Sequence, residues 1–434
     1  MDCFTSPEAM TTCLTIVRPW VELLLALFGL GSVGLITILG IVVARWREDH
    51  KNWTSANQRL SSDLDFAKRS AVVAESERDV CAAKLKLTEA QLSNDVSQAS
   101  EAFHKAQRLL TDMHERLASA RAVCVGDSAD FWARPVGIRL ATYEADLRDS
   151  IPIIMFANQK GGVGKTTLSA GVAACFSLRG ERVLAIDLDY QGSLSGMMLA
   201  QARIRPIKEE FPSRIDQLLR RDLSDRWHDS AIQPVADKLD YVSAYYQFEK
   251  LERCVEYSWV IGDERDDVRF RLARALLSDY VQAKYNRVII DAPRRLTLGF
   301  INGFCASTHL FVPTVVDSPS ALAVGAFARQ FRKLVPLINP IIRLSGVIGA
   351  MTGQNRKNSL PRDASSTAND VEIYVRNALN SADSYFIRNA VMPRSQKISY
   401  AAERGIAPLQ DPRTRLIFDK LADEIAKRAP LRRN

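Results

Sequence analysis

No segment limits the possible folds of this chain as tightly as the apolar run Ile151-Pro152-Ile153-Ile154-Met155-Phe156-Ala157. It runs directly into Asn158-Gln159-Lys160-Gly161-Gly162-Val163-Gly164-Lys165-Thr166-Thr167 and then into a helix-length stretch ending at Gly180. A strand, a glycine turn and a helix in that order place successive backbone N–H groups around one concavity, and the helix dipole adds to its pull on an anion. Glycines are needed because side chains would keep a phosphate away from the main chain. Lys165 then supplies charge toward the β and γ phosphates of a nucleotide, and the Thr166 hydroxyl is placed for Mg²⁺.

The residues beyond Gly180 fit a sheet built around that turn. Short apolar runs at Val183 to Ile186, Leu239 to Val242, Arg287 to Ile290, Leu310 to Val315 and Ile342 to Met351 alternate with helix-length amphipathic stretches. Strands buried on both faces read this way, so the expected fold class is α/β, a mainly parallel sheet flanked by helices. Residues 203 to 237 and the polar loop Gly353 to Asp370 interrupt the rhythm. Asp187 and Asp189 end one apolar run and Asp291 ends another. Acidic groups at the C-terminal edge of such a sheet lie where its ligands bind.

A strict P-loop has Gly six residues before its lysine, and this chain has Gln159 there. The octet Lys160-Gly-Gly-Val-Gly-Lys165-Thr-Thr, with its second lysine, instead resembles the deviant Walker A ATPases of the ParA/MinD family, which are SIMIBI-class P-loop NTPases. Asp187-Leu-Asp189-Tyr-Gln-Gly-Ser looks like that family's second-strand motif, and Val288-Ile-Ile-Asp291-Ala-Pro293 like its Walker B motif. Phe311 to Ser320 and Phe386 to Arg394 resemble later family segments, and the likeness runs from about residue 151 to 428. The resemblance implies ATP and Mg²⁺ as cofactors, held by Lys160, Gly161, Gly162, Val163, Gly164, Lys165, Thr166, Thr167 and Pro393. Thr166, Asp187 and Asp291 would serve the metal, partly through water. Lys160, Lys165 and Asp189 would be the catalytic group, Asp189 orienting the attacking water. Two departures stand out: Arg294 replaces a common second proline, and Ser193 the usual Asn.

The first third of the chain has another character. Leu23 to Ala44 contains no charge over 22 residues and is followed by Arg45, Arg47 and Lys51. A helix of that length covers ~33 Å against a hydrocarbon core of ~30 Å. After a short tail, residues 1–20, we expect a transmembrane helix over 21–44. The positive-inside bias then makes this a single-pass protein of the inner (cytoplasmic) membrane with its C-terminal domain in the cytoplasm. Neither Gly nor Pro occurs between Arg45 and Val125. Apolar residues recur there at alternating steps of 4 and 3, from Leu60 to Leu85 and, after a register slip, through Leu110, Met113 and Leu117 to Ala120. That period predicts a coiled-coil helix over 45–125. A connector over 126–150 leads into the P-loop ATPase domain, 151–434. The seven cysteines form no C-x-x-C pair and suit a reducing compartment, with Cys3 and Cys13 able to pair if their tail faces an oxidising space.

Through residue 150 there are 17 Lys and Arg against 20 Asp and Glu, and beyond it 41 against 30. The basic surplus of the larger part favours acidic partners. Arg329, Arg332 and Lys333, Arg356 and Lys357, and Lys427 to Arg433 are candidate contacts for non-specific DNA. The family resemblance implies a nucleotide-dependent homodimer in which Lys160 reaches the phosphates of the other subunit, with slow hydrolysis stimulated by a protein partner. The expected function is a membrane-anchored ATP switch that positions or regulates a protein or DNA cargo. Two alternatives are a nucleotide-gated scaffold or sensor in a membrane-associated assembly, and a bacterial tyrosine kinase. The kinase reading predicts a tyrosine-rich C-terminal tail, and residues 401 to 434 contain no Tyr.

Overall fold

In a computed structural model the described residues are 104–115, 128–133 and 140–432, apart from breaks at 204–212, 265, 353–359 and 362–363, together with positions 70, 74, 78, 80 and 118. The segment 21–44 expected to span a membrane lies outside them, as does most of the expected coiled coil. Among the described residues no helix is long and apolar enough to cross a membrane. Residues 104–115 are helical and exposed, and Leu110 and Met113 of the expected stripe each show 57% of their surface.

From residue 153 onward the chain builds one eight-stranded sheet in the order β3-β4-β2-β5-β1-β6-β7-β8. Its strands are β1 Ile153–Phe156, β2 Val183–Asp187, β3 Gln233–Ala236, β4 Leu239–Val242, β5 Arg287–Asp291, β6 His309–Thr314, β7 Arg343–Thr352 and β8 Phe386–Pro393. Every neighbouring pair is parallel except β3 with β4. The mainly parallel α/β architecture expected from the alternating runs is therefore present. Strand β3 was not anticipated: Gln-Pro-Val-Ala carries too little apolar character to stand out, and it forms only as the outer arm of a hairpin on β4.

Alternation along the strands divides the interior into two cores. Ile153, Met155, Leu184, Ile186, Val288 and Ile290 face one side, where they meet α4 Leu298–Ala306, α5 Ser318–Ile338 and α6 Ser365–Leu379. Ile154, Phe156, Val183, Ala185 and Ile289 face the other, against α1 Lys165–Leu178 and α8 Pro412–Arg428. Between them in sequence lie α2 Ser193–Gln201, α3 Tyr246–Val260 and α7 Gln396–Arg404. The expected polar loop from Gly353 to Asp370 ends sooner than its composition suggested. Helix α6 starts at Ser365, because Ala368, Val371, Glu372 and Val375 give its Ser/Thr-rich first turns a buried face.

Two short helices precede the sheet, Ser128–Trp132 and Leu140–Arg148. Trp132, Tyr143 and Leu147 are buried in the first core. Arg269 fastens this region: its guanidinium pairs with Asp267, donates to the Trp132 carbonyl at 2.7 Å and lies 5.2 Å from the Trp259 ring centroid.

Candidate functional site

The glycine turn leaves the sheet at its centre, since β1 lies between β5 and β6. Asn158 pins its start. The side-chain amide donates to the Pro313 carbonyl at 2.7 Å, and its oxygen accepts from the Lys160 N–H at 2.9 Å. Gly164 forms the N-cap of α1 with φ 78°, a left-handed conformation that disfavours side chains, and a Cβ there would stand 2.2 Å from the Met392 methyl. Loop shape and room for β8 thus both require that glycine. The first turn of α1 brings Lys165 and Thr166 into a cleft of about 590 Å³, lined also by Gly162, Val163, Thr167 and Asp189.

Neighbouring strand ends supply the acids. Asp187 and Asp291 are register partners on β2 and β5, and both are buried. Asp187 accepts from the Asp189 N–H at 3.0 Å, the Ser195 N–H at 2.9 Å and the Ser195 hydroxyl at 2.8 Å. Asp291 accepts from the Ser169 hydroxyl at 3.1 Å, and a bond from Thr166 also favours its charged form. Burial pushes both carboxyls well above the ordinary aspartate range, and the charge of Asp291 pushes Asp187 further. For Lys165, burial lowers the ammonium's proton affinity and Arg294 adds to that effect, while Asp291 and Asp189 oppose it. Asp189 lines the cleft, its carboxylate accepting from the Gln191 N–H at 3.1 Å.

These residues fit Mg²⁺. The ion takes one or two carboxylates and completes its shell with phosphate and water. Thr166 beside Asp291 offers such a partial shell, and two buried carboxylates gain from a cation brought near them. Among the described residues no group of three or more His, Cys, Asp or Glu could hold a metal by itself, so phosphate and water would supply the remainder. With three internal donors on its oxygens, Asp187 holds the β2 loop in place behind the site.

Several expected site residues lie apart from this cluster. Lys160 is absent from the cleft lining and turns instead to α5, its ammonium 2.6 Å from the Ser320 hydroxyl and 3.5 Å from Asp317. Pro393 is buried at the end of β8, next to Met392, and does not line the cleft. Ser193 does line it. Ser169, Ser195 and Asn158 hold the machinery and were not singled out from sequence, because a buried hydroxyl or amide looks like any other polar residue until its partner is known.

The basic clusters are partly engaged within the fold. Lys333 pairs with Asp130, Lys427 lies 2.6 Å from Glu424, and Arg428 donates to the Ser345 carbonyl at 2.8 Å. Arg329 is exposed on α5, and positions 356 and 357 lie outside the described residues.

A family profile described as an AAA domain matches residues 151–344. The sporulation initiation inhibitor protein Soj of Bacillus subtilis is 28% identical over 278 residues, covering 63% of this chain and 98% of its own. The chromosome partitioning protein ParA of Caulobacter vibrioides is 26% identical over 58% of this chain and 84% of its own. Among solved structures, the ATP complex of a variant of Cyanothece McdA matches with a TM-score of 0.51 at 16% identity, over 66% of this chain and 99% of that one. That likeness speaks to the fold.

Proposed function

From the premise that the chain carries, from residue 151, a P-loop ATPase domain of the ParA/MinD type that takes ATP with Mg²⁺, we propose that it is a membrane-anchored, nucleotide-dependent dimerisation switch. The switch positions or regulates a protein or DNA cargo. One observation carries the reading. Lys165 and Thr166 meet Asp189 inside the cleft, whereas Lys160, at the entrance of the same glycine turn, points away from it toward Ser320 on α5.

A lysine outside the lining of its own cleft is assigned, in this reading, to the nucleotide of a second copy. Two triphosphates brought face to face repel, and an inserted ammonium offsets part of that repulsion. ATP therefore favours the pair, and loss of the terminal phosphate weakens it. The uncharged segment 21–44 would hold the domain at a membrane, and pairing along 45–125 would raise the local concentration of ATPase domains. Arg329, Arg332 and Lys333 are exposed on α5, where an anionic cargo would meet them.

Sedimentation of the full-length chain in detergent, with and without ATP, tests the switch. Wild type should gain an ATP-dependent increment of association that Lys160→Ala lacks while still binding ATP. Equal association of the two proteins would remove the trans role of Lys160.

A further inference from the structure

Arg294 lies three residues beyond Asp291, in the loop that leaves β5. Its side chain is exposed, and it makes no hydrogen bond or ion pair among the described residues. The guanidinium group nevertheless has a defined place. Its Nη1, Cζ and Nε lie 2.8, 3.0 and 3.3 Å from where a Cβ on Gly161 would stand. The backbone of Gly161 is not in the left-handed region, so what its missing side chain provides is room for this arginine.

Arg294 lines the nucleotide cleft together with Lys165, Thr166 and Asp189. It also forms part of the wall of an adjoining cavity of about 370 Å³ with Gln159, Glu256 and Thr297. Two cations facing one cleft repel unless an anion lies between them. An arginine is always charged, and its fork of N–H donors matches a phosphate's oxygens.

The geometry points to Arg294 as a direct ligand of the terminal phosphate of the bound triphosphate, supplied by the same subunit. The assignment rests on the ATPase reading above. Sheet order selects the terminal phosphate over the others. Asp189 and Arg294 follow β2 and β5 on one side of β1, whereas Met351 reaches the cleft from β7, on the side of β6 and β8. A nucleotide held at its inner phosphates by the loop and the start of α1 then directs its terminal phosphate toward the acids and Arg294. The arginine thereby distinguishes ATP from ADP.

Calorimetric titration of the full-length wild type, Arg294→Ala and Arg294→Lys with a slowly hydrolysed ATP analogue and with ADP, each with Mg²⁺, tests this. Arg294→Ala should weaken analogue binding about ten- to hundredfold, the range of a charge-assisted hydrogen bond, and leave ADP binding within about twofold. Arg294→Lys should recover part of the loss. An unchanged preference, an equal loss for both nucleotides, or a wild type without preference would overturn the assignment while leaving the ATPase reading intact. A wild type that binds neither nucleotide would overturn the reading itself, and this assignment with it. Because Arg294 is exposed, melting of the nucleotide-free variants should match wild type.

Discussion

The indole N–H of Trp132 donates to the carbonyl of Leu296 at 2.8 Å, joining the helix Ser128–Trp132 to the loop that carries Arg294. The same ring stacks on Trp259 with centroids 5.3 Å apart. The segment that enters the ATPase domain is therefore bonded to a wall of its nucleotide cleft. Trp132→Phe keeps most of the apolar area and deletes the donor. It should lower unfolding free energy by about 1 to 2 kcal/mol, the cost of an unpaired carbonyl and a smaller ring. Chemical denaturation of the two proteins measures the difference, and equal midpoints would mean that the bond contributes nothing.

Glu252 and Glu256 on α3 bind the start of α4: Glu252 accepts from the Gly299 N–H at 2.7 Å and the Thr297 hydroxyl at 2.6 Å, and Glu256 from the Leu298 N–H at 2.8 Å. Burial pushes Glu252 up to about 8 and Glu256 to about 6, from an ordinary value of 4.5. The native state thus holds these protons more tightly than the unfolded chain does. The contribution is full below pH 4.5 and is lost as pH rises through the folded values, with roughly 3 to 5 kcal/mol at stake for Glu252. Glu252→Gln keeps an acceptor and cannot ionise. Its stability should fall less than that of wild type between pH 5 and pH 8, and parallel curves would contradict the buried, protonated glutamate.

Asp291 and Asp187 oppose each other across adjacent strands, and both are buried. Such a pair costs stability in the apo protein and becomes favourable when a cation arrives. Asp291→Asn should therefore melt as high as apo wild type or higher, and lose most of the additional stabilisation that Mg²⁺ gives in the presence of ATP. A melting series with ATP, with and without Mg²⁺, reads both effects. A full magnesium increment in the variant would remove Asp291 from the metal site.

The proposed membrane attachment rests on residues 21–44. A chain lacking residues 1–44 should stay in the supernatant when lipid vesicles are pelleted, while the full-length chain reconstituted into them sediments. Continued sedimentation of the truncated chain would place the membrane contact elsewhere.

The alternating apolar runs made the parallel sheet legible, because a strand buried on both faces has few ways to be written other than Ile-Ile-Met-Phe or Val-Ile-Ile-Asp. The glycine octet marked the anion site for a similar reason: positive φ at Gly162 and Gly164 is a local demand that sequence states openly. Strand β3 and the early start of α6 were hidden, since each exists through tertiary pairing that its own composition does not announce. The candidate site divided in the same way. Lys165, Thr166, Asp189 and Asp291 were singled out from strand-end and loop patterns, whereas Ser169 donating to Asp291 and the guanidinium of Arg294 against Gly161 are juxtapositions of distant segments. Arg294 was visible in sequence as a departure from a motif, but its place in the cleft required coordinates.

The proposed function depends on the loop from Lys160 to Thr167 gripping a triphosphate. Titration of the purified full-length chain with ATP and Mg²⁺, beside Lys165→Ala, tests that most directly. Saturable uptake of one ATP per chain by wild type, with affinity lowered at least about a hundredfold in Lys165→Ala, is the predicted result. No uptake by wild type, or undiminished uptake by Lys165→Ala, would contradict it.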